Sequence, residues 1–229
     1  MMKISNLLPA LLLLTTVATT ASAQRFSFSN TPVVDITGKP VTVNKYMHVK
    51  GSPYIYDEWL PGEVVTGDGK LHTGMLLKYN IETNLLTFVY DPKEEPLKFA
   101  EPVTAFTIFG ERKMSFGNNF PKIDGYGKDS YYEVIALGKA TLLKHYRQFL
   151  KDTRSAVDLS MTDGTYVQTA AYYIFKDGKM ARFKPNAKAI QGVLDDKSAQ
   201  VDSFVVEKNI RFENEDELKK VFDYYNSLQ

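Results

Sequence analysis

Cysteine is absent from the chain. No disulfide can therefore form, and thiol catalysis and thiolate metal sites are excluded. Histidine is scarce, since only His48, His72 and His145 occur. None of the three has the His-x-His or His-Glu-x-x-His spacing of a metal site, and each lies alone in an alternating strand pattern, which predicts side chains exposed to solvent. The sequence therefore predicts neither a metal nor a cofactor.

Positive and negative side chains are nearly balanced in number. The chain carries 28 Lys and Arg against 27 Asp and Glu, and removing Lys3, the only charged residue of segment 1–23, leaves segment 24–229 balanced at 27 of each. A neutral chain lacks the electrostatic footprint of a nucleic-acid-binding protein. The sequence also contains no Gly-x-Ser-x-Gly nucleophile turn and no Walker-type phosphate loop. No catalytic motif therefore stands out.

The first 23 residues have the features of a targeting segment. Lys3 is followed by an apolar run at 7–17, and Ala21-Ser22-Ala23 fits a small-residue cleavage site. The run is shorter than the roughly 20 residues that span a bilayer. We therefore expect a signal peptide at 1–23 and one exported domain at 24–229, without a stable transmembrane span, in the periplasm or outside the cell or associated with the outer membrane. An uncleaved N-terminal anchor is the alternative.

Segment 50–109 has the alternation of an antiparallel β-meander. Apolar residues recur with period two at 71–79 and again at 86–90, and a third run follows at 103–109 after a corner that contains Pro96 and Pro102. Three such strands can share one apolar face, which an isolated hairpin could not stabilise. Before the meander, 33–36 and 41–49 are predicted to form one or two edge strands.

The segment from 110 to 184 continues as β structure with long turns. Gly, Asn and Pro predict loops at 110–126 and 125–130, and a strand is expected at 131–137. The run 140–150 fits either a strand or a helix, and a strand is favoured because Gly138 offers a hairpin turn and no helix cap precedes it. Of four Asp-Gly pairs, Asp177-Gly178 between two apolar runs is the clearest hairpin signal.

Helical spacing replaces the period of two after residue 184. Pro185 suits a first helical position, and Ser198 is the expected cap of a second helix. The clearest helix begins after Asn214, with Glu217 three residues on. Its apolar stripe comprises Leu218, Val221, Phe222 and Tyr225. The predicted fold class is therefore α+β, mostly antiparallel β at 24–184, with a helical part at 185–229 packed on the sheet.

An aromatic and acidic run that opens the meander is the candidate binding site. It contains, in chain order, Tyr54, Tyr56, Asp57, Glu58 and Trp59. Aromatic side chains are enriched at binding hot spots, and Pro53 and Pro61 bracket the run. The competing interpretation is that the rings fill one end of the core and that the acids are solvated. The basic residues at 176–188 are interpreted as a solvated strand edge rather than as a docking surface.

Several short stretches resemble a group of exported, signal-peptide-bearing, β-rich proteins of Gram-negative bacteria to which no activity is assigned. They are Lys50-Gly-Ser-Pro-Tyr with Asp57-Glu-Trp59, Leu77-Lys-Tyr-Asn80, Phe99 with Pro102-Val103, and Tyr225-Asn-Ser-Leu228. The resemblance implies export and an undivided domain. It assigns no role to any residue.

Three functional hypotheses follow from these observations. The first is an exported, non-catalytic protein that binds or supports an envelope component, either a protein or a glycan. The second is a periplasmic hydrolase acting on glycan or peptide through a carboxylate pair, which the fold would have to place about 5 to 10 Å apart. The third is an outer-membrane barrel, which the charged strands and the helical tail disfavour.

Overall fold

The structure, a computed structural model, describes residues 38–40, 49–152 and 164–228. The expected signal peptide at 1–23, the edge strand at 33–36, most of the edge strand at 41–49 and His48 lie outside these residues. Among the described residues there is no helix of the length and apolarity that crossing a membrane would require.

In the part of the chain that the structure describes, twelve strands form one sheet and three helices follow them. The strands are β1 Gly38–Pro40, β2 Val49–Lys50, β3 Leu60–Thr66, β4 Leu71–Asn80, β5 Leu85–Val89, β6 Leu97–Phe99, β7 Val103–Phe109, β8 Lys113–Gly117, β9 Tyr132–Ala136, β10 Ala140–Asp152, β11 Gly164–Lys176 and β12 Lys179–Phe183. The helices are α1 Ala187–Val193, α2 Ser198–Glu207 and α3 Glu215–Ser227, with a 3₁₀ turn at Asp195–Lys197. The order across the sheet is β1-β6-β5-β4-β3-β7-β8-β9-β10-β11-β12, and β2 pairs with β11. All pairings are antiparallel except that of β2 with β11. The predicted α+β class is confirmed.

The predicted strands with strict alternation are confirmed, and four others were missed. Strands β4, β5, β7 and β9 lie where the sequence predicts them, and 140–150 is a strand, β10. The prediction of an unbroken loop at 110–126 is wrong, because β8 pairs with β7 and buries Met114 and Phe116. Strands β1, β3 and β6 were also not predicted. In β3, Pro61 and Gly62 interrupt the alternation, and the register shifts there as in a β-bulge.

The Asp-Gly pairs form tight turns where the structure describes both residues. Asp177 and Gly178 have φ angles of 51° and 74°, as a two-residue hairpin turn with both central residues at positive φ requires. Asp124 and Gly125 have φ angles of 51° and 85°. The hairpin prediction at 177–178 is therefore confirmed.

A first hydrophobic core lies on the curved face of strands β3 to β8. The ring of Tyr79 on β4 contacts Phe106 on β7 and Phe116 on β8, with centroid distances of 5.2 and 5.4 Å. Strands β4 and β8 are three strands apart, which in a flat sheet would separate them by about 14 Å. The sheet is therefore strongly curved around this core.

A second core forms where the helices pack on β9 to β12. Leu218, Val221, Phe222 and Tyr225 of α3 are buried, which confirms the predicted stripe. Asn226 clamps the end of α3 to the β9–β10 turn, because its side chain bonds both the N–H and the C=O of Ala140 at 3.0 Å. Gly138 permits this close approach, since a Cβ there would collide with Asn226.

The predicted helix starts are partly wrong. Asn214 caps α3 by accepting from the N–H groups of Asp216 and Glu217, as expected. The Glu217 carboxylate, however, accepts from the backbone of Arg211 instead of returning to the cap. Pro185 lies one residue before Asn186, which is the N-cap of α1. Ser198 is the first residue of α2 and not its cap, and no side chain caps the start of this helix.

The substitution Phe222→Ala should lower the free energy of unfolding by roughly 3 to 5 kcal/mol. The Phe222 side chain is fully buried and its ring meets Phe183 edge-on at 6.0 Å. Chemical denaturation measures the loss, with Lys220→Ala on the exposed side of the same helix as the control. An unchanged midpoint for Phe222→Ala would show that α3 does not support the sheet.

Candidate functional site

The aromatic run lies beside the end of β4. The Ile55 N–H donates to the Tyr79 C=O at 3.1 Å, and the Ile81 N–H donates to the Pro53 C=O at 2.8 Å. The chain then bends at Ile55 and again at 57–58 before β3 begins. Because of these bends, the side chains of the run do not alternate as they would in one regular strand.

Tyr54 and Trp59 meet around a lysine. The Lys78 ammonium lies 4.5 Å from the centroid of the Tyr54 ring and 5.7 Å from that of Trp59. All three side chains are half-buried. We call this cluster of Tyr54, Trp59 and Lys78 the aromatic platform. Asp57 and Glu58 are exposed next to it in the chain.

Tyr56 does not belong to the platform. Its ring packs against the first core and over Gly110, where an added Cβ would lie only 2.7 Å from the ring. Only two of the three predicted aromatic residues are therefore brought together on a surface. Tyr56, the third, packs in the core, as the competing interpretation expected of all the rings in the run.

A buried carboxylate, not predicted from the sequence, lies between the two cores. The side chain of Glu133 on β9 is 2% exposed. It accepts two hydrogen bonds from Arg112, one of them at 2.9 Å, and one from the Tyr146 hydroxyl at 2.6 Å. Glu133 pairs in register with Phe116 of the first core, and Ile135, two residues further on the same face, belongs to the second core. One face of the sheet therefore carries both cores with this carboxylate between them.

A second carboxylate joins the same cluster from the start of α3. Glu215 accepts from Lys144 and from the Tyr172 hydroxyl, both at 2.6 Å, and lies 3.7 Å from Arg112. Burial opposes ionisation of Glu215, but the bonds from Lys144 and Tyr172 outweigh it and lower the pKa of this carboxyl. We call the cluster of these side chains with Glu133, Arg112 and Tyr146 the buried ion network.

The buried ion network is a poor acid–base pair. Arg112 Nη2 is 2.9 Å from one Glu133 oxygen and 3.7 Å from one Glu215 oxygen, so these two oxygens are no more than about 6.6 Å apart. The spacing alone would suit a glycosidase. A general acid, however, needs a raised pKa, whereas Glu215 has a lowered pKa and both carboxylates are held by cations. The arrangement stabilises two negative charges and does not prepare a proton donor.

The prediction of solvated histidines is wrong for both described residues. His72 is 4% exposed and its Nε2 lies 3.0 Å from the Thr66 hydroxyl. His145 is 9% exposed, and its ring lies 3.9 Å from that of Tyr126 and 5.0 Å from that of Tyr132. Burial lowers the pKa of His145 to about 4, so this imidazole is neutral at pH 7.

The basic segment 176–188 is only partly a solvated edge. Lys179, Lys184 and Lys188 are exposed, as expected. Lys176 is not, because its ammonium donates to Asp196 at 2.8 Å and to the Val193 C=O at 2.8 Å. It connects β11 to the helical part. In segments 49–152 and 164–228, no three His, Asp or Glu side chains converge to hold a metal ion.

Substituting His145 should reduce the acid sensitivity of the fold. The pKa of His145 is about 4 in the folded protein, against 6.5 for an ordinary histidine. Between these values the unfolded chain binds more protons, so the folded state loses stability as the pH falls. We expect this residue to account for about 2 kcal/mol of the loss between pH 7 and pH 5.

Urea denaturation of the wild type and of His145→Gln at the two pH values measures this contribution. All other titrating groups are common to the two proteins, so the difference between their losses isolates His145. Equal losses in the two proteins would show that the imidazole is not held neutral by burial.

Comparison with known proteins gives no relative. No known protein family matches the sequence, no curated protein matches it, and no solved structure matches the fold.

Proposed function

We propose that the protein is an exported, non-catalytic binding protein of the cell envelope, whose aromatic platform contacts a glycan or an envelope protein. The observation that carries the proposal is the meeting of half-buried Tyr54 and Trp59 around Lys78. Support for export is the composition of segment 1–23, with Lys3, an apolar run and a small-residue cleavage site.

The platform has the physical properties of a contact site. Tyr and Trp offer a large contact area at a low cost in side-chain entropy. The backbone pairing of 53–55 with the end of β4 holds Tyr54 in place before any ligand arrives. The Lys78 ammonium adds a hydrogen-bonding group beside the rings, and the chain between Tyr54 and Trp59 carries the exposed carboxylates of Asp57 and Glu58. A pyranose ring, which has an apolar face and hydroxyls at its edge, would find both kinds of contact here.

The state of the carboxylates favours binding over hydrolysis. Glu133 and Glu215 are the two carboxylates that share one buried cluster, and both are engaged by Arg112. Lys144, which is largely buried, would lose its carboxylate partner if Glu215 were protonated. Asp57 and Glu58, in contrast, are exposed. The hydrolase hypothesis therefore gains no support from these four residues.

The single tryptophan reports directly on the proposed site. We expect an emission maximum between those of sealed and fully solvated indole, with partial quenching by acrylamide, because Trp59 is half-buried. Soluble fragments of bacterial cell-wall glycan, and solubilised envelope proteins in a parallel series, should shift the emission and protect Trp59 from the quencher.

A variant pair tests whether the platform itself binds. Tyr54→Ala keeps the reporter and should weaken binding at least tenfold, as truncation of an aromatic hot spot does. Phe109→Ala is the control, because Phe109 is 38% exposed and the Lys113 ammonium lies 5.7 Å from the centroid of its ring. A blue-shifted, unquenchable Trp59, or equal effects of the two substitutions, would refute the proposed site.

A further inference from the structure

A polar pocket lies on the face of the sheet opposite the helices. Side chains alternate along β10, so Leu142 packs in the second core while Leu143 and His145 face the other side. There the loop that carries Asp124 and Tyr126 covers part of the sheet. Between this loop and strands β10, β11 and β12 is a pocket of about 260 Å³.

The walls of the pocket are built by contacts within the chain. Asp124 accepts from the Tyr173 hydroxyl at 2.9 Å and lies 3.6 Å from Arg182. The tight turn at Asp124-Gly125 is closed by hydrogen bonds in both directions between the backbones of Ile123 and Tyr126, at 3.1 and 2.8 Å. The pocket therefore exists before a ligand binds.

The charges that line the pocket favour an anion. Arg147 and Arg182 are exposed cations, and Asp124 is the carboxylate among the lining residues. Asp124 is engaged with Arg182 and Tyr173. The Arg147 guanidinium carbon lies 5.8 Å from the centroid of the Phe149 ring, and no carboxylate among the described residues is paired with Arg147. Since His145 is neutral at pH 7, the lining side chains carry one net positive charge. Arginine binds carboxylate and phosphate groups with two parallel hydrogen bonds.

The other polar groups suit a ligand that also carries hydroxyls. A neutral imidazole has one donor and one acceptor, and a carboxylate accepts from hydroxyls. His145 lies against Tyr126 on one side, which gives the pocket an aromatic wall. Its volume is just below the roughly 300 to 1,000 Å³ of drug-sized ligand sites. The occupant must therefore be small.

We propose that this pocket binds one small anionic carbohydrate, with its carboxylate or phosphate on Arg147 and its hydroxyls on Asp124 and His145. The pocket shares no residue with the aromatic platform, and the inference does not depend on the proposed function. A sugar acid and a sugar phosphate present the same chemistry to these side chains, so the experiment must separate them.

Isothermal titration calorimetry at low salt compares four probes on the full chain: D-glucuronate, D-glucose 6-phosphate, D-glucose and inorganic phosphate. We expect one of the two anionic sugars to bind at least tenfold more tightly than glucose and than inorganic phosphate. The preferred one identifies the ligand as a sugar acid or a sugar phosphate. Tyr54→Ala should leave this binding unchanged, which separates the pocket from the platform.

Two charge-matched variants test the role of the pocket. Arg147→Gln should weaken binding of the anionic sugar at least tenfold, because it removes the cation that holds the anionic group. Lys179→Gln removes the same charge from the exposed β11–β12 hairpin outside the pocket, and should change the affinity less than twofold. Filling the pocket by Ala171→Leu should abolish binding with all charges retained.

Three results would overturn the inference. The first is that neither anionic sugar binds at millimolar concentration. The second is that glucose or inorganic phosphate binds as tightly as the anionic sugars, which would mean that the pocket does not recognise the two chemical groups together. The third is that Arg147→Gln and Lys179→Gln have equal effects, which would mean that only the overall charge matters.

Discussion

The burial of Glu133 is the constraint on which the arrangement of this fold depends. An ionised carboxylate that is sealed from water costs several kcal/mol unless cations and donors surround it. The partners come from separate parts of the chain: Arg112 from the β7–β8 turn and Tyr146 from β10. Glu215, at the start of α3, joins through Lys144 and Arg112. Replacing such a network by apolar residues is often neutral for stability. We therefore infer that the network mainly makes the fold specific, because its bonds form only with one register of β8, β9 and β10 and one position of α3.

The strands that carry the buried ion network and the first core also create the surfaces on the other side of the sheet. Along β10, Lys144 and Tyr146 belong to the network, while His145 and Arg147 alternate with them and line the polar pocket. Along β4, Tyr79 is in the first core and the adjacent Lys78 lies in the aromatic platform. Because strand side chains alternate, any shift of register that broke the cores would also dismantle both sites. The register of β4 and β10 therefore positions Lys78, His145 and Arg147.

How far the sequence predicts this structure depends on the range of the interactions. The alternation of 71–79 and the stripe of α3 are local signals, and the structure confirms them. β8 was missed because Gly and Asn near it outweighed the alternation of Met114 and Phe116. The buried ion network has no local signal, since Arg112 and Glu215 are 103 residues apart in the chain. The prediction of solvated histidines was wrong for the same reason. Whether a histidine in a strand faces solvent depends on which residues cover it, and the loop that carries Tyr126 covers His145. For the platform, the sequence indicated the aromatic residues but not Lys78, which comes from the neighbouring strand.

In the buried ion network, Tyr146 belongs to the first core and Tyr172 packs against the second, so we expect the two cores to unfold as one cooperative unit. Equilibrium unfolding in urea tests this directly. Trp59 precedes Leu60, which packs on the first core, so its fluorescence follows that core. Circular dichroism at the wavelength of the helical signal follows α1 to α3, which pack in the second core. We expect the two transitions to coincide in midpoint and slope at pH 7. Two separate transitions would contradict this expectation, because they would show that the cores unfold independently.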